Sequence, residues 1–543
     1  MKKSLLIFLL ISGLSGRSLS QSFNWDWANC ASGYYSMLGE GVDVATDNDE
    51  NLYITGFFNQ YIAFGPYIFN QYNGGSFLAK YDSAGTLLWA KGDSIHPHSG
   101  HSGAWAVCTD ESGNCIITGG FMDTVYFNSI RLTSTSPGGS TFVVKYNSSG
   151  DVLWAYSSSR ANITSTQDFG LGIATDTRGS IYITGTYSST VVFGTDTLTT
   201  PTNDNYLVKM DQAGNVLWAR SGHSNLNGSQ GTAVATDPWG CSYVTGCFSG
   251  TSISFGNCSL SNTHPGTEDY FVVKYNSAGV PQWVIGSGSA SNETGTDIAC
   301  DVLGNVIATG TCGVPSSSFI NKYDSSGNLI WSKYLSGTNT HCLIGCYRVT
   351  TDKDANIYAT GGFFNSPIDI AGDTLLQQPP SPSDPLFIVE YNAWGHLQFV
   401  LGVNNGGDDN CGIAVTQSNK VYIGGDFTST NFVLGNTILH YPGNGEDVFV
   451  AKLSILSTTG FVESEHDWKF NLYPNPFEKD LNIEINNDEE TQVYINDLSG
   501  RTMIHQVFST KTILRTDFLP EGAYYFVLEN KQGEIHHGKI IKQ

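Results

Sequence analysis

The chain is poor in basic residues: 26 Lys and Arg stand against 49 Asp and Glu, for a net charge of −23. A surface of that sign repels phosphate backbones and anionic lipid, which excludes nucleic acid and acidic membranes as partners. Charge of either sign is scarce, at 14% of residues against about 25% in an ordinary globular protein. After residue 20 no apolar run is long enough for a membrane-spanning helix of about 20 residues. The eleven cysteines are odd in number and none follows Cys411. No spacing among them supplies two CxxC pairs, so structural zinc is not indicated, and their pairing is not deducible. GxSxG, HExxH and GxxxxGK[ST] are absent as well, and with them the common signatures of serine hydrolases, zinc peptidases and phosphate-binding loops.

What is present is Gly, Ser, Thr, Asn and aromatics, the composition of short strands joined by many turns. The first twenty residues pair a Lys2-Lys3 start with an apolar run from Leu5 to Ile11 and a small-x-small site at Ser18-Leu19-Ser20. This is a signal-peptide pattern, with cleavage expected near Ser20/Gln21.

Two phrases then alternate along the chain. One is Ala45-Thr46-Asp47 followed by Asn51-Leu52-Tyr53-Ile54-Thr55-Gly56; its Thr-Asp element returns at Thr109-Asp110, Thr175-Asp176, Thr236-Asp237 and Thr351-Asp352, as Cys300-Asp301, and eroded at Thr416-Gln417. The other is Phe77-Leu78-Ala79-Lys80-Tyr81-Asp82 followed by Gly85 and Trp89; its lysine returns at Lys145, Lys209, Lys274, Lys322 and Lys452, with Glu390 in place of one. Trp89, Trp154, Trp218 and Trp283 are 64 or 65 residues apart; Trp331 follows after 48 and Phe399 after 68. The short step marks a fifth repeat that omits a loop between Gly310 and Phe319. Repeats of this period mean an array or a propeller.

Each repeat reads as four short strands, in the first case Val42–Thr46, Leu52–Phe57, Phe77–Tyr81 and Leu87–Lys91. Trp27 supplies an orphan fourth strand at the start, and Val448–Leu453 an orphan third strand at the end. Pairing these two closes a ring, and radial closure protects strand edges. The expected fold is all-β: a seven-bladed β-propeller of four-stranded blades over 21–454, a linker at 455–469, and a small C-terminal β-sandwich at 470–543. The repeated Asp-x-x-Gly-Asn elements are turn chemistry and the repeated Trp is blade-to-blade packing. Gly170-Leu171-Gly172-Ile173-Ala174-Thr175-Asp176 and Gly179-Ser180-Ile181-Tyr182-Ile183-Thr184-Gly185 resemble the bacterial β-propeller repeat family called SBBP, over roughly residues 25–455. The resemblance implies the fold and carries over no catalytic residue.

The first-to-second and third-to-fourth connections are short and uniform. The second-to-third connections, and those that run on to the next repeat, are long and differ. These classes emerge on opposite faces, so one face is expected to be variable and ligand-facing. It should carry Tyr34, Tyr35, His96, His98, His101, His223, His341, Asp408 and Asp409, with Asn162, Asp168 and Glu293 on the same loops. His96-Pro97-His98-Ser99-Gly100-His101 holds imidazoles that suit metals, but a Pro/Gly loop fixes no geometry, and no metal site is expected. Asp47-Asn48-Asp49-Glu50-Asn51 resembles part of a calcium loop without its Gly or terminal Glu, and reads better as a turn; calcium is the only cofactor the sequence leaves open.

The tail departs from this pattern. It contains, in order, Tyr473-Pro474-Asn475-Pro476, Asp497-Leu498-Ser499-Gly500-Arg501, Gly522-Ala523-Tyr524-Tyr525-Phe526 and Lys539-Ile540-Ile541-Lys542. These motifs resemble the C-terminal sorting domain of the type IX secretion system, type A. The resemblance implies recognition by the outer-membrane translocon and a sortase, with Lys539 and Lys542 as recognition elements, and a secreted or outer-membrane cell-surface location. The leading functional reading is a non-enzymatic binding or adhesion module for a glycan or extracellular protein. Two others stay open: a secreted polysaccharide hydrolase or lyase with its carboxylates on separate loops, and a structural surface-layer component.

Overall fold

The structure is a computed structural model that describes residues 22–542 except 36–42, 96–99, 135, 137, 161–167, 227, 263, 265, 288–289, 314–315, 338–342, 365–367, 371–372, 375–384, 404–410, 428–430, 441–445, 457–469, 487–489, 498–501 and 531–534. The signal-peptide reading at 1–20 lies outside these residues. Every regular element among the described residues is a strand, and the sheets are antiparallel.

Strands recur in sets of four. Asp43–Thr46, Leu52–Phe64, Tyr67–Tyr81 and Leu87–Gly92 form one set, and Ser102–Thr109, Cys115–Phe121, Ser140–Tyr146 and Val152–Ser157 the next. The same order runs from Phe169–Thr175 to Val216–Ser221, from Ser229–Thr236 to Pro281–Ser287, from Glu293–Cys300 to Leu329–Gly337, and from Leu343–Thr351 to Leu397–Val403. A further set draws on both ends of the chain. Gly412–Val415, Lys420–Phe427 and Glu446–Leu456 take Ser22–Tyr35 as their fourth strand, with Trp27 opposite Lys452. The two orphan strands of the sequence therefore pair. Each first strand packs on the first strand of the following set, and Gly412–Val415 packs on Asp43–Thr46.

Apolar cores lie between successive sets. Tyr53, Leu78 and Trp89 of one set bury against Cys115, Ile117 and Phe142 of the next, and complete burial of such a side chain stabilises by about 1.5–3 kcal/mol. The repeated polar residues join the sets. Asp47 Oδ1 accepts the N–H groups of Asp49 and Asn51 at 3.1 and 2.9 Å, which closes the first turn. In the next set the left-handed position of that turn is Gly113, at φ 73°, where a side chain would be strained. Lys80 Nζ lies 3.1 Å from Asp47 and donates to the Ser148 carbonyl of the following set at 3.4 Å. Trp89 Nε1 donates to the same carbonyl at 3.1 Å. Lys322 repeats the arrangement with Asp301 at 2.9 Å and the Ala393 carbonyl at 3.0 Å. At the closure, Lys452 and Trp27 donate to the Ser83 carbonyl at 2.9 and 3.1 Å, so that junction uses the contacts of the others.

Glu390 and Phe399 break this pattern for a topological reason. Their neighbour is the set built from both chain ends, whose third strand ends at Leu456 and whose fourth begins at Ser22. No hairpin joins those strands, so the turn carbonyl that a Lys and a Trp would both seek is missing. Phe399 instead meets Phe23 edge-on at 4.8 Å.

The second and third strands are longer than the sequence reading placed them. The second-to-third connections are not irregular loops in most sets but β-hairpins. Phe64, Phe127, Phe193, Phe255, Ile370 and Leu434 sit at their tips, each 2% exposed or less. Short segments after several fourth strands, such as Ser94–Ile95 and His223–Ser224, pair with the next hairpin. The fifth set lacks this extension, because Val306–Gly313 turns directly into Ser316–Tyr323, with Gly313 opposite Ser316.

Beyond 469, Phe470–Tyr473, Asp480–Ile485 and Lys511–Arg515 form one sheet, and Thr502–Phe508, Thr491–Asn496, Gly522–Asn530 and Ile535–Lys542 another. One core holds residues of both, including Leu481, Ile483, Leu514, Val493, Phe526 and Ile540.

Candidate functional site

The hairpins and the connections between sets share one face, and the described hairpins there are β-structure. Buried acids anchor it. Asp93 accepts from Gln71, from Ser76 and from Ser102. Asp168 pairs with Arg160, which lies beside Ser188. Asp204 accepts from Thr200 at 2.6 Å and from the Ser224 N–H at 3.0 Å. Burial pushes the Asp93 carboxyl above its ordinary value, and that of Asp168 up to about 6, against the pull of its partners.

A concavity on this face lies in the first set. It is a groove of about 410 Å³ between the hairpin segment Gln60–Gly74 and the connection at Ser94, Ile95 and Gly100, a volume in the range of ligand pockets. A bulge between Phe58 and Gln60 shapes it, with Gln60 in the left-handed region at φ 61°. Gln60 faces Gln71 across the strands, and Tyr61 faces Asn70. Asn73 donates to the Gly100 carbonyl at 3.2 Å and ties the two walls together. Tyr72, at the rim, is 76% exposed.

The inner ends of the sets enclose a second cavity, of about 280 Å³, lined from every first strand. Asp43, Asp297 and Arg348 occupy matching positions there, each opposite a repeated Thr. One arginine faces two carboxylates, and burial raises both carboxyls, that of Asp297 to about 6. Arg348 Nε lies 3.8 Å from Asp43, and the carboxylates accept the Val107 and Val349 N–H groups at 2.9 and 2.8 Å. The two backbone bonds tie neighbouring sets together, whereas the Arg348–Asp43 contact reaches past the set built from both chain ends.

Four of the nine expected ligand-facing residues are among those described. Tyr34 and Tyr35 fall on the closing strand, with Tyr34 opposite Tyr61. His101 is exposed beside the groove, and its carbonyl accepts the Met122 N–H. His223 lies 3.2 Å from Asp204, a contact that raises its pKa. His96, His98, His341, Asp408, Asp409 and Asn162 lie outside the described residues. Asp168 and Glu293, expected on loops, are instead buried, the former against Arg160 and the latter beside Ser287. Among the described residues no three His, Cys, Asp or Glu side chains form a metal-binding group. Gln71 was not singled out by sequence reasoning, because a mid-strand glutamine matches no motif. Its partner Asp93 lies 22 positions away.

In the tail the first and last motifs meet. Asn475 Oδ1 accepts the Ile541 N–H at 2.9 Å, the Phe477 N–H donates to the Ile541 carbonyl at 2.9 Å, and Lys542 lies over the Phe477 ring at 5.9 Å. Tyr473 is partly exposed and donates to Glu484, Pro474 and Pro476 flank Asn475, and Tyr524 donates to the Pro520 carbonyl. Gly522 pairs with Lys542, Lys539 with Tyr525, and Asp497 follows the strand Thr491–Asn496. Gly500 and Arg501 lie outside the described residues.

Residues 471–543 match the family described as the secretion system C-terminal sorting domain. That tail marks the chain for type IX export, and hence as a secreted or cell-surface protein. No described helix is long and apolar enough to cross a membrane. An uncharacterized WD repeat-containing protein of Acanthamoeba polyphaga mimivirus is 24% identical over 74% of this chain and 36% of its own length. The chain thus spans about a third of that relative. Among solved structures, the extracellular domain of a Bacteroides thetaiotaomicron hybrid two-component system aligns at 13% identity, over 92% of this chain and 67% of that one, with a TM-score of 0.30. The endosialidase of phage phi92 aligns at 12% identity over 83% and 72%, with a TM-score of 0.36. A Dyadobacter fermentans protein of unknown function aligns at 9% identity over 64% and 93%, also with a TM-score of 0.36.

Proposed function

We infer that the chain is a non-enzymatic binding protein, exported through its tail, that meets its ligand with the hairpin-built face of a seven-bladed propeller. Ring closure by Ser22–Tyr35 against Glu446–Leu456 supports the seven-bladed reading. The two tail sheets around one core support a sandwich. SBBP-type repeats fit the recurring Asp, Lys and Trp positions. The domain boundaries are those of the sequence reading, with 1–20 removed on export and no cofactor required.

The observation that carries the functional reading is asymmetry between the faces. One face repeats the same short turns, closed by Asp47, Asp110, Asp176 and Asp301. The other differs from set to set and holds the 410 Å³ groove. Selection for a stable ring explains the first face, whereas variation on a rigid scaffold is the usual setting of recognition. The test is an array of glycans and matrix proteins probed with the purified full chain, with and without EDTA. Saturable binding that survives EDTA is expected. Absence of any saturable hit, or turnover of a polysaccharide on the array, contradicts the reading.

A further inference from the structure

Where the third set runs on to the fourth, three side chains stand as nucleophile, base and orienting acid. Ser221 ends the strand Val216–Ser221, and His223 opens the short strand His223–Ser224 that pairs with the next hairpin. Ser221 Oγ lies 3.3 Å from His223 Nε2, and His223 Nδ1 lies 3.2 Å from Asp204 Oδ2. A serine within hydrogen-bond reach of an imidazole that a carboxylate orients is recognised by geometry, whatever the order in the chain. Ser94 and Ser159 hold the position of His223 in the first two sets, so the fold itself does not call for an imidazole there.

The surroundings fix each part. Asp204 has no exposure and accepts from Thr200, from the Ser224 N–H and from Ser229, at 2.6, 3.0 and 3.1 Å. As an acceptor it takes a hydrogen bond from His223 Nδ1, which leaves Nε2 to accept from the Ser221 hydroxyl. A Cβ at Gly222 would come within 2.2 Å of the Phe255 ring, so the backbone between the two side chains lies close against that buried tip. The pair is reachable from solvent: the His223 side chain is 53% exposed, and Ser221 is partly exposed.

We propose that Ser221 is an activated nucleophile that takes an acyl group from an ester, a site of covalent modification on the hairpin-built face. The hydroxyl oxygen attacks the ester carbonyl while His223 Nε2 takes its proton. The bond from that carbonyl to the alkoxide then breaks, His223 returns the proton to the alkoxide, and Ser221 is left as an O-acyl ester. Ester and hydroxyl give ester and alcohol, so no further reactant is needed. The proposal goes beyond the binding-protein reading and does not rest on it, because transfer of a single acyl group modifies the chain without turnover.

The test treats the full chain with a fluorophosphonate, whose phosphorus takes the place of the acyl carbon and whose fluoride leaves, and separately with p-nitrophenyl acetate. A single label on the peptide that holds Ser221, read by mass spectrometry, and a burst of p-nitrophenolate are expected. Ser221→Ala should abolish both, and His223→Gln should slow both at least about tenfold. The thermal transitions of these two variants should stay unchanged, because both side chains reach solvent. Asp204 raises the pKa of His223, so labelling should rise with pH through a midpoint above 6.5, and Asp204→Asn should move that midpoint down. The other groups near the pair do not titrate in that range: Tyr187, buried beside Ser221, is pushed up to about 12, and the strand facing His223 places Ser254 opposite it. Absence of label, label that Ser221→Ala retains, or labelling indifferent to pH overturns the proposal. Release of p-nitrophenolate that continues after the burst upholds it and contradicts the non-enzymatic reading, whereas failure of the binding array leaves it untouched.

Discussion

Glu390 gives the sharpest prediction. It stands where the other sets place a lysine, and it is 6% exposed. Burial, with the nearby Asp352 carboxylate adding to it, lifts its carboxyl from 4.5 to about 7 despite a hydrogen bond from Tyr358. In the unfolded chain it titrates near its ordinary value. Between those two values the folded protein holds a proton that the unfolded chain has released. Stability therefore falls as pH rises from about 4.5 to about 7, and the full penalty is in place above that window. The gap corresponds to about 3 kcal/mol. Glu390→Gln keeps a partner for Tyr358 and carries no charge. The variant should match wild type at pH 4 and exceed it by about 2–3 kcal/mol at pH 8. For a chain of this length a kilocalorie moves Tm by roughly one degree, so thermal melts at pH 4 through 8 resolve the difference. A variant that tracks wild type at every pH, or is less stable at pH 8, refutes the reasoning.

Further outcomes follow from the inter-set contacts and the tail. Lys322→Met removes the cation beside Asp301, whose side chain has no exposure and keeps only its hydrogen bonds from Leu303 and Asn305; a loss of about 3 kcal/mol is expected by denaturant melts. Lys452→Met should lose only about 1 kcal/mol, because Thr416, and not Gln417 as the repeat phrase had it, stands where the acid would be, and the lysine's hydrogen bond is to the Ser83 carbonyl. Equal losses would contradict the role given to the Asp–Lys pairs. Trp89→Phe should lower stability by about 1 kcal/mol through loss of the bond to Ser148, and an unchanged melt would show that bond to be idle. Deletion of 471–543 should leave the chain in the cell envelope by fractionation, whereas normal release would contradict a sorting role for the tail.

Much of the fold was readable because its repeated parts are chemically rigid. Asp47, Gly113 and Trp89 each answer a local demand of turn or packing, so their spacing survives drift elsewhere. Trp27 and Val448–Leu453 were legible as complementary halves for the same reason. The hairpins were missed. Their signal is present, as Ile62-Ala63-Phe64-Gly65, Val191-Val192-Phe193-Gly194 and Ile253-Ser254-Phe255-Gly256. The segments that follow differ in length, and the fifth set lacks the extension of the hairpin, so the region reads as loop. Asp168 was placed on the surface because its partner Arg160 is joined to it by tertiary packing, with no pattern to announce the pair. Gln71 is a similar case: its bond to Asp93 joins residues 22 positions apart.

The central claim is that ligand meets the hairpin-built face. Hydrogen–deuterium exchange of the full chain, with and without saturating amounts of the strongest hit from the array, tests it most directly. Slowed exchange is predicted in residues 58–75 and 94–104 or in the matching hairpins of other sets, with the opposite face unchanged. Protection confined to the short turns, such as 47–51 and 82–86, would contradict the account.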